Sequence, residues 1–238
     1  MQLILLSAGR GSRLSKELRS KPKSLVKVNN IPIIEHNLKF FNMFKKKFII
    51  SGYKKKTLES FAKKNNFKII HNSKFQTTNM VYSMFLPSKY INDDVVICYG
   101  DIIFDYKIYN LLNKKDNIIP LNMNWLQIWK KRMSNRNIKK DAENLSTSKN
   151  VLLSIGGKIN KTFPKYQYMG IFKIRKSKYF VLKKFFQQIK KPKIDMTKFL
   201  NLSIKHCNLN LKVKKYKSYW YEIDNKKDLI ISSKELKS

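Results

Sequence analysis

The sequence predicts an α/β fold, a doubly wound mixed sheet with an antiparallel extension, and three observations lead there. Short apolar strand-like runs alternate with helical patterns through the first 115 residues, a glycine-bearing loop follows the first run directly, and a carboxylate closes a later one. The chain has 238 residues, 42% of them hydrophobic, with no repeat and no Pro/Gly/Ser-rich joint. One domain over 1–238 is the expectation, with residues 1–115 and 116–238 as its two halves.

The elements follow in order. Gln2-Leu3-Ile4-Leu5-Leu6 reads as a buried strand and runs into the loop holding Gly9 and Gly11. Lys21-Pro22-Lys23 is a turn, Leu25 to Val28 is extended, Asn29-Asn30 turns again, and Pro32 stands in the first turn of a helix whose face is Ile33, Ile34, Asn37, Leu38, Phe41 and Phe44. A strand at 48–50, a helix near 55–65, a strand at 67–70, a helix near 79–86 and a strand at 95–98 complete the βαβ rhythm. Beyond residue 115 we expect strands at 118–121, 151–155, 166–174 and 211–213, with helices near 176–190 and 195–206. This half is read as an antiparallel extension and lid that completes a pocket.

The formal charge of +36 is extreme, and taken alone it points to nucleic acid. Only six of the 51 basic residues are arginine, however, and Ile and Asn are equally abundant, as AT-rich codons dictate. The lysines are scattered, without the Arg-rich, aromatic-interleaved clustering of a groove reader. Nucleic-acid binding is therefore expected to be incidental. Cys98 and Cys207 lie far apart, suggesting neither a disulfide nor a zinc site, and Cys98 reads as a small buried hydrophobe. His36, His71 and His206 show no ligand spacing. No apolar run approaches bilayer length and no leader pattern precedes the first strand, so a cytoplasmic protein is expected.

Four segments carry chemistry. In Ser7-Ala8-Gly9-Arg10-Gly11-Ser12-Arg13 the glycines let backbone amides turn toward an anion while Arg13 supplies a fixed cation. It is neither a Walker loop nor a full dinucleotide fingerprint, and a tight strand exit is the structural alternative. Lys23, held by Pro22, can neutralise phosphate charge. Asp101, at the exit of strand 95–98 behind Gly100, faces the crevice of an open sheet and suits the hard cation Mg²⁺. Asp224, closing Trp220-Tyr221-Glu222-Ile223-Asp224, either caps a following helix or completes a metal site with Asp101; the two roles are compatible.

Together these segments resemble the nucleotidyltransferase superfamily of sugar-1-phosphate nucleotidyltransferases and molybdopterin guanylyltransferases, a Rossmann-like fold. The loop matches L-x-A-G-x-G-x-R with Ser7 in its variable place, and Lys23 matches the lysine of the later P-K element. The resemblance implies that residues 1–115 bind the nucleotide and 116–238 the acceptor, that Asp101 and Asp224 hold Mg²⁺, that Gly9, Gly11 and Arg13 wrap the triphosphate while Ser7, Ala8 and Ser12 join them in binding the nucleotide, and that Lys23 contacts the reacting phosphate. Catalysis is assigned to Lys23, Arg13 and Asp101. Asn72-Ser73-Lys74-Phe75 and Thr78 to Ser83 look like the corresponding segment of phosphocholine and 2-aminoethylphosphonate cytidylyltransferases, which implies CTP as donor and places Asn79 and Ser83 in the nucleotide pocket. Trp125 to Arg132, Asp141-Ala142-Glu143, Gln167 to Gly170 and Asp195-Met196-Thr197 look like a cytidylyltransferase-like subgroup related to enzymes of phosphonate and phosphoramidate pathways. Trp125, Trp129, Asp141, Glu143, Tyr168 and Glu222 are the acceptor-binding candidates, able to receive a cationic amine. The i to i+4 spacing of Trp125 and Trp129 favours a core stripe.

The expected reaction is transfer of a nucleoside monophosphate from an NTP to a small phosphorylated or phosphonylated metabolite. A sugar-1-phosphate nucleotidyltransferase using UTP, dTTP or GTP, and a non-catalytic basic nucleic-acid-binding protein, are the alternatives. A homodimer is left open.

Overall fold

The structure is a computed structural model and describes residues 1–9, 11, 21–159 and 162–236. Its strands are β1 Gln2–Ser7, β2 Lys27–Val28, β3 Ile31–Pro32, β4 Lys46–Ser51, β5 Lys68–His71, β6 Val95–Tyr99 and β7 Ile102–Phe104. They continue as β8 Ile118–Asn122, β9 Leu145–Ser148, β10 Val151–Ile155, β11 Gln167–Tyr168, β12 Ile171–Ile174, β13 Lys212–Tyr216 and β14 Trp220–Glu222. Among the described residues, ten of these form one mixed sheet ordered β5-β4-β1-β6-β12-β8-β13-β10-β9, with β11 added on β8. The sheet runs through both halves of the sequence.

β5, β4, β1 and β6 are parallel neighbours. All six residues of β1 are buried, as a central strand covered on both faces requires, which is why Leu3 to Leu6 form a continuous apolar run. Side-chain alternation divides the core between the two faces: Leu3, Leu5, Ile49, Val96 and Cys98 on one, Ile4, Leu6, Ile50, Val95 and Ile97 on the other. Helices Met80–Phe85, Lys176–Ile189 and Met196–His206 contribute to the second face, where Tyr179 and Phe199 are fully buried. Beyond β6 the sense changes. β12 runs antiparallel to β6 and β8, β13 is parallel to β8, and β10 and β9 continue antiparallel.

Two local expectations change. The run 166–174 is two strands, not one: β11 pairs with β8 and β12 with β6, and between them Gly170 takes φ +77° and accepts the Tyr99 N–H at 2.9 Å. That φ is open to glycine and costly to residues with a Cβ. The extended segment before Pro32 is a short hairpin, β2 with β3, turned by Asn29 and Asn30, both at positive φ.

A separate pair, β7 with β14, sets Glu222 opposite Ile102 and Trp220 opposite Phe104. It carries the end of the chain to the carboxyl end of β6. Two free cysteines are present, Cys98 buried and Cys207 half-buried. Among the described residues no helix is long and apolar enough to cross a membrane.

Candidate functional site

At the carboxyl ends of β1 and β6 the backbone turns out of the sheet, which is where open α/β sheets place ligands. A cleft of about 160 Å³ opens there. Ser7, Ala8, Gly9, Lys23, Asn79, Ser83 and Asp101 line it, bringing together seven of the residues singled out by sequence. Gly11 is described and has φ +65°, in the region glycine favours, but does not line the cleft. Ser12 and Arg13 lie outside the described residues.

Close packing shapes this cleft. A Cβ on Gly100 would stand 2.9 Å from the Leu6 carbonyl oxygen, so only glycine lets β6 leave so close to β1. Ser7 Oγ and Ser24 Oγ share a hydrogen bond of 2.5 Å that ties β1 to the short helical turn Lys23–Leu25. Asn72, buried and not nominated individually by the sequence reading, donates to Thr78 Oγ1 and Ser83 Oγ at 3.0 Å each and accepts the Lys74 N–H. Asn79 caps helix Met80–Phe85 by accepting the Met80 N–H and donates to Asp195 Oδ1 at 2.9 Å.

The centre of the site is charged. Lys23 Nζ lies 2.6 Å from Asp101 Oδ2 and 2.5 Å from Asp224 Oδ1. Burial alone lowers the pKa of this ammonium, but Asp101 and Asp224, with Glu222 behind them, outweigh it and hold Lys23 above its ordinary value. Glu222 completes a group of three carboxylates, each offering an oxygen within 4.8 Å of the others. Its own pKa is pushed up to about 8, by burial first and then by Asp224 and Asp101. Asp101 Oδ1 is buried with no hydrogen-bond partner among the described residues. Three clustered hard oxygen donors and an unbonded buried carboxylate oxygen fit a divalent cation such as Mg²⁺. Sequence reasoning assigned Glu222 to the acceptor; the structure sets it beside Asp101 and Asp224 and in the lining of a second cavity.

A second cavity, about 250 Å³, adjoins the first, and Tyr99, Met80 and the carboxylate group stand between them. Asp141, Glu143, Asp195, Glu222 and Asp224 all line it, five of the fifteen acidic residues in a chain of charge +36, and among the described residues no lysine or arginine does. Tyr99, Tyr168, Trp129 and Trp220 supply aromatic walls. Burial, then Asp195 and Asp141, raises the pKa of Glu143 against the opposing hydrogen bond from Thr197 Oγ1 at 3.0 Å.

The two tryptophans nominated together part company here. Trp125 is 1% exposed, donates to the Pro164 carbonyl and does not line the cavity, so it belongs to the core. Trp129 packs edge-on against Trp125, stacks on Trp220 at 6.0 Å and does line it. Trp220 and Asp195, quoted within their segments but given no role of their own by sequence, line it too. Strand alternation places Trp220 on the side of Glu222, and Asp195 is the residue before helix Met196–His206; both signals were legible.

No family model matches the sequence. Over 252 aligned positions, 96% of this chain and 98% of the relative, the sequence is 28% identical to the CTP:phosphoglutamine cytidylyltransferase of Campylobacter jejuni. It is 31% identical over 119 positions to the choline-phosphate cytidylyltransferase of Streptococcus pneumoniae, covering 48% of this chain and 51% of that one. The structure superposes on the S. pneumoniae CTP:phosphocholine cytidylyltransferase with TM-score 0.77 at 20% identity, covering 99% and 98% of the two chains. It superposes on the inositol-1-phosphate CTP transferase of T. maritima with TM-score 0.77 at 19% identity, covering 98% and 95%. In fold, and in sequence over nearly its whole length, this chain is similar to the nucleotidyltransferases, cytidylyltransferases among them.

Proposed function

We propose that the chain transfers CMP from CTP to a small phosphorylated or phosphonylated acceptor bearing a cationic nitrogen, releasing pyrophosphate. The observation that carries this is the pair of adjoining clefts: a glycine loop lines one, carboxylates and aromatic rings line the other, and Lys23 with three carboxylates stands at their junction. The CTP:phosphoglutamine and choline-phosphate cytidylyltransferases named above support the choice of donor and acceptor class.

An acceptor phosphate or phosphonate oxygen is already anionic at neutral pH, so its attack on the α-phosphorus needs no strong general base. The new P–O bond forms as the bond to the β-phosphate oxygen breaks, and the electron pair leaves with pyrophosphate. The chain's contribution is positioning and charge. The glycine loop and the wall formed by Asn79 and Ser83 orient the nucleotide, Tyr99 separates the two substrates, and Lys23 offsets charge at the reacting phosphate. Asp101, Glu222 and Asp224 would hold Mg²⁺. When bound, that ion supplies charge neutralisation for phosphate oxygens. The acidic, aromatic cavity suits an ammonium group through ion-pair and cation–π contacts. The same reading places the protein in the cytoplasm, with the NTP pool.

Pyrophosphate release is to be measured from each of the four NTPs with phosphocholine, 2-aminoethylphosphonate, phosphoglutamine and glucose-1-phosphate. CTP with an amine-bearing acceptor is expected to give the highest kcat/KM. A higher value for UTP or dTTP with the sugar phosphate sinks the cytidylyltransferase assignment and leaves the wider one.

A further inference from the structure

Arg132 is one of six arginines in a chain whose basic residues are otherwise lysine, and it is 6% exposed. It follows helix Trp125–Lys130, in the half of the chain that forms the acidic cavity. Its Nη1 lies 2.9 Å from Asp228 Oδ1 and donates to the Glu222 carbonyl oxygen at 3.0 Å, while the guanidinium carbon sits 4.6 Å from the centre of the Trp129 ring. Asp228 is equally buried. Its Oδ2 accepts the backbone N–H of Asp224 at 2.8 Å and of Asn225 at 3.1 Å, and it forms the far side of the capping box on helix Lys226–Glu235.

The segment Glu222-Ile223-Asp224 is therefore pinned at both ends, at the Glu222 carbonyl by Arg132 and at the Asp224 amide by Asp228. Between them, the Ile223 N–H donates to the Asp101 carbonyl at 3.0 Å. A buried ion pair is poor support for stability in itself, because desolvation cancels most of its attraction. Here Nε and Nη2 of Arg132 have no hydrogen-bond partner among the described residues, a further cost that packing alone does not demand.

We propose that Arg132 and Asp228 are positioning residues: they fix the backbone from Glu222 to Asp224 so that its two carboxylates converge with Asp101 on a divalent cation, and through Trp129 they tie that convergence to the acceptor cavity. The inference rests on the cation reading given above. Arg132→Met keeps the bulk of the side chain and removes both contacts of Nη1. Asp228→Asn keeps the shape but sets an amide against either the guanidinium or the two backbone N–H groups.

The test is Mn²⁺ binding to the full chain, followed by the loss of the free-ion electron paramagnetic resonance signal, with thermal melts in chelator to confirm folding. Both variants are expected to bind Mn²⁺ about ten- to a hundredfold more weakly, the range for disturbed outer-shell partners of a metal site. Arg132→Lys, which retains the charge facing Asp228, is expected to recover part of the loss. In steady state the deficit is expected in kcat and in the Mg²⁺ concentration for half activation, more than in KM for CTP. Wild-type Mn²⁺ affinity in folded Asp228→Asn and Arg132→Met overturns the positioning role while the carboxylate site stands. Mn²⁺ binding that Asp224→Asn leaves unchanged overturns the site itself, and this inference with it. Should Arg132→Met not fold, Arg132→Lys and Asp228→Asn decide by the same readout.

Discussion

Asp101 leaves the sheet directly behind Gly100, with Oδ2 on Lys23 and Oδ1 buried without a hydrogen-bond partner among the described residues. Asp101→Asn preserves size and one acceptor for Lys23 but removes the charge. Turnover is expected to fall about a hundredfold or more, the order seen when a charge-stabilising contact is lost, with little change in melting temperature. Near-wild-type pyrophosphate release at low Mg²⁺ removes Asp101 from the mechanism. Glu143 offers a pH test. Burial and its acidic neighbours raise its pKa in the folded chain above the ordinary value of 4.5, so between the two values the folded state holds more proton than the unfolded one. Stability is then fully present below the ordinary value and is lost as pH rises through the folded one. Glu143→Gln escapes that loss. The difference in melting temperature, variant minus wild type, is expected to be more positive at pH 7 than at pH 4, and a constant difference contradicts the assignment.

At the scale of elements, the break at Gly170 matters most. It lets β11 pair with β8 while β12 pairs with β6, and it lies against Tyr99, the ring that both clefts share. A Cβ at Gly170 would stand 2.7 Å from the Tyr99 ring, at a φ that L side chains rarely adopt. Gly170→Ala is expected to cost roughly 1–3 kcal/mol in urea unfolding through strain and overpacking. It is also expected to raise KM for both substrates as Tyr99 shifts. Unchanged stability places the loop elsewhere. The break was not legible from pattern, because Tyr166 to Ile174 is apolar enough to read as one strand, and strand partners rather than periodicity decide where it divides. Helix positions were legible, since Lys176–Ile189 and Met196–His206 repeat apolar residues at helical spacing.

Over the whole molecule, charge is unevenly distributed: lysines are scattered through every segment, and a third of the acids line one cavity. Binding to random duplex DNA is expected to be incidental and to collapse, by filter retention, between about 50 and 200 mM salt, as purely phosphate-directed binding does. Sequence-selective retention at the higher salt revives the nucleic-acid alternative. The sequence by itself determined the alternating elements, the glycine loop after β1 and the strand-end positions of Asp101 and Asp224, because each is written in local spacing and residue type. Only the tertiary structure decided that Glu222 joins those two carboxylates, that Trp129 and not Trp125 reaches the cavity, and that Asp141, Glu143 and Asp195 face one another. Those outcomes depend on the pairing of β7 with β14 and on the antiparallel extension, contacts between segments far apart in the chain, whose register is set by how the faces bury and not by any local pattern.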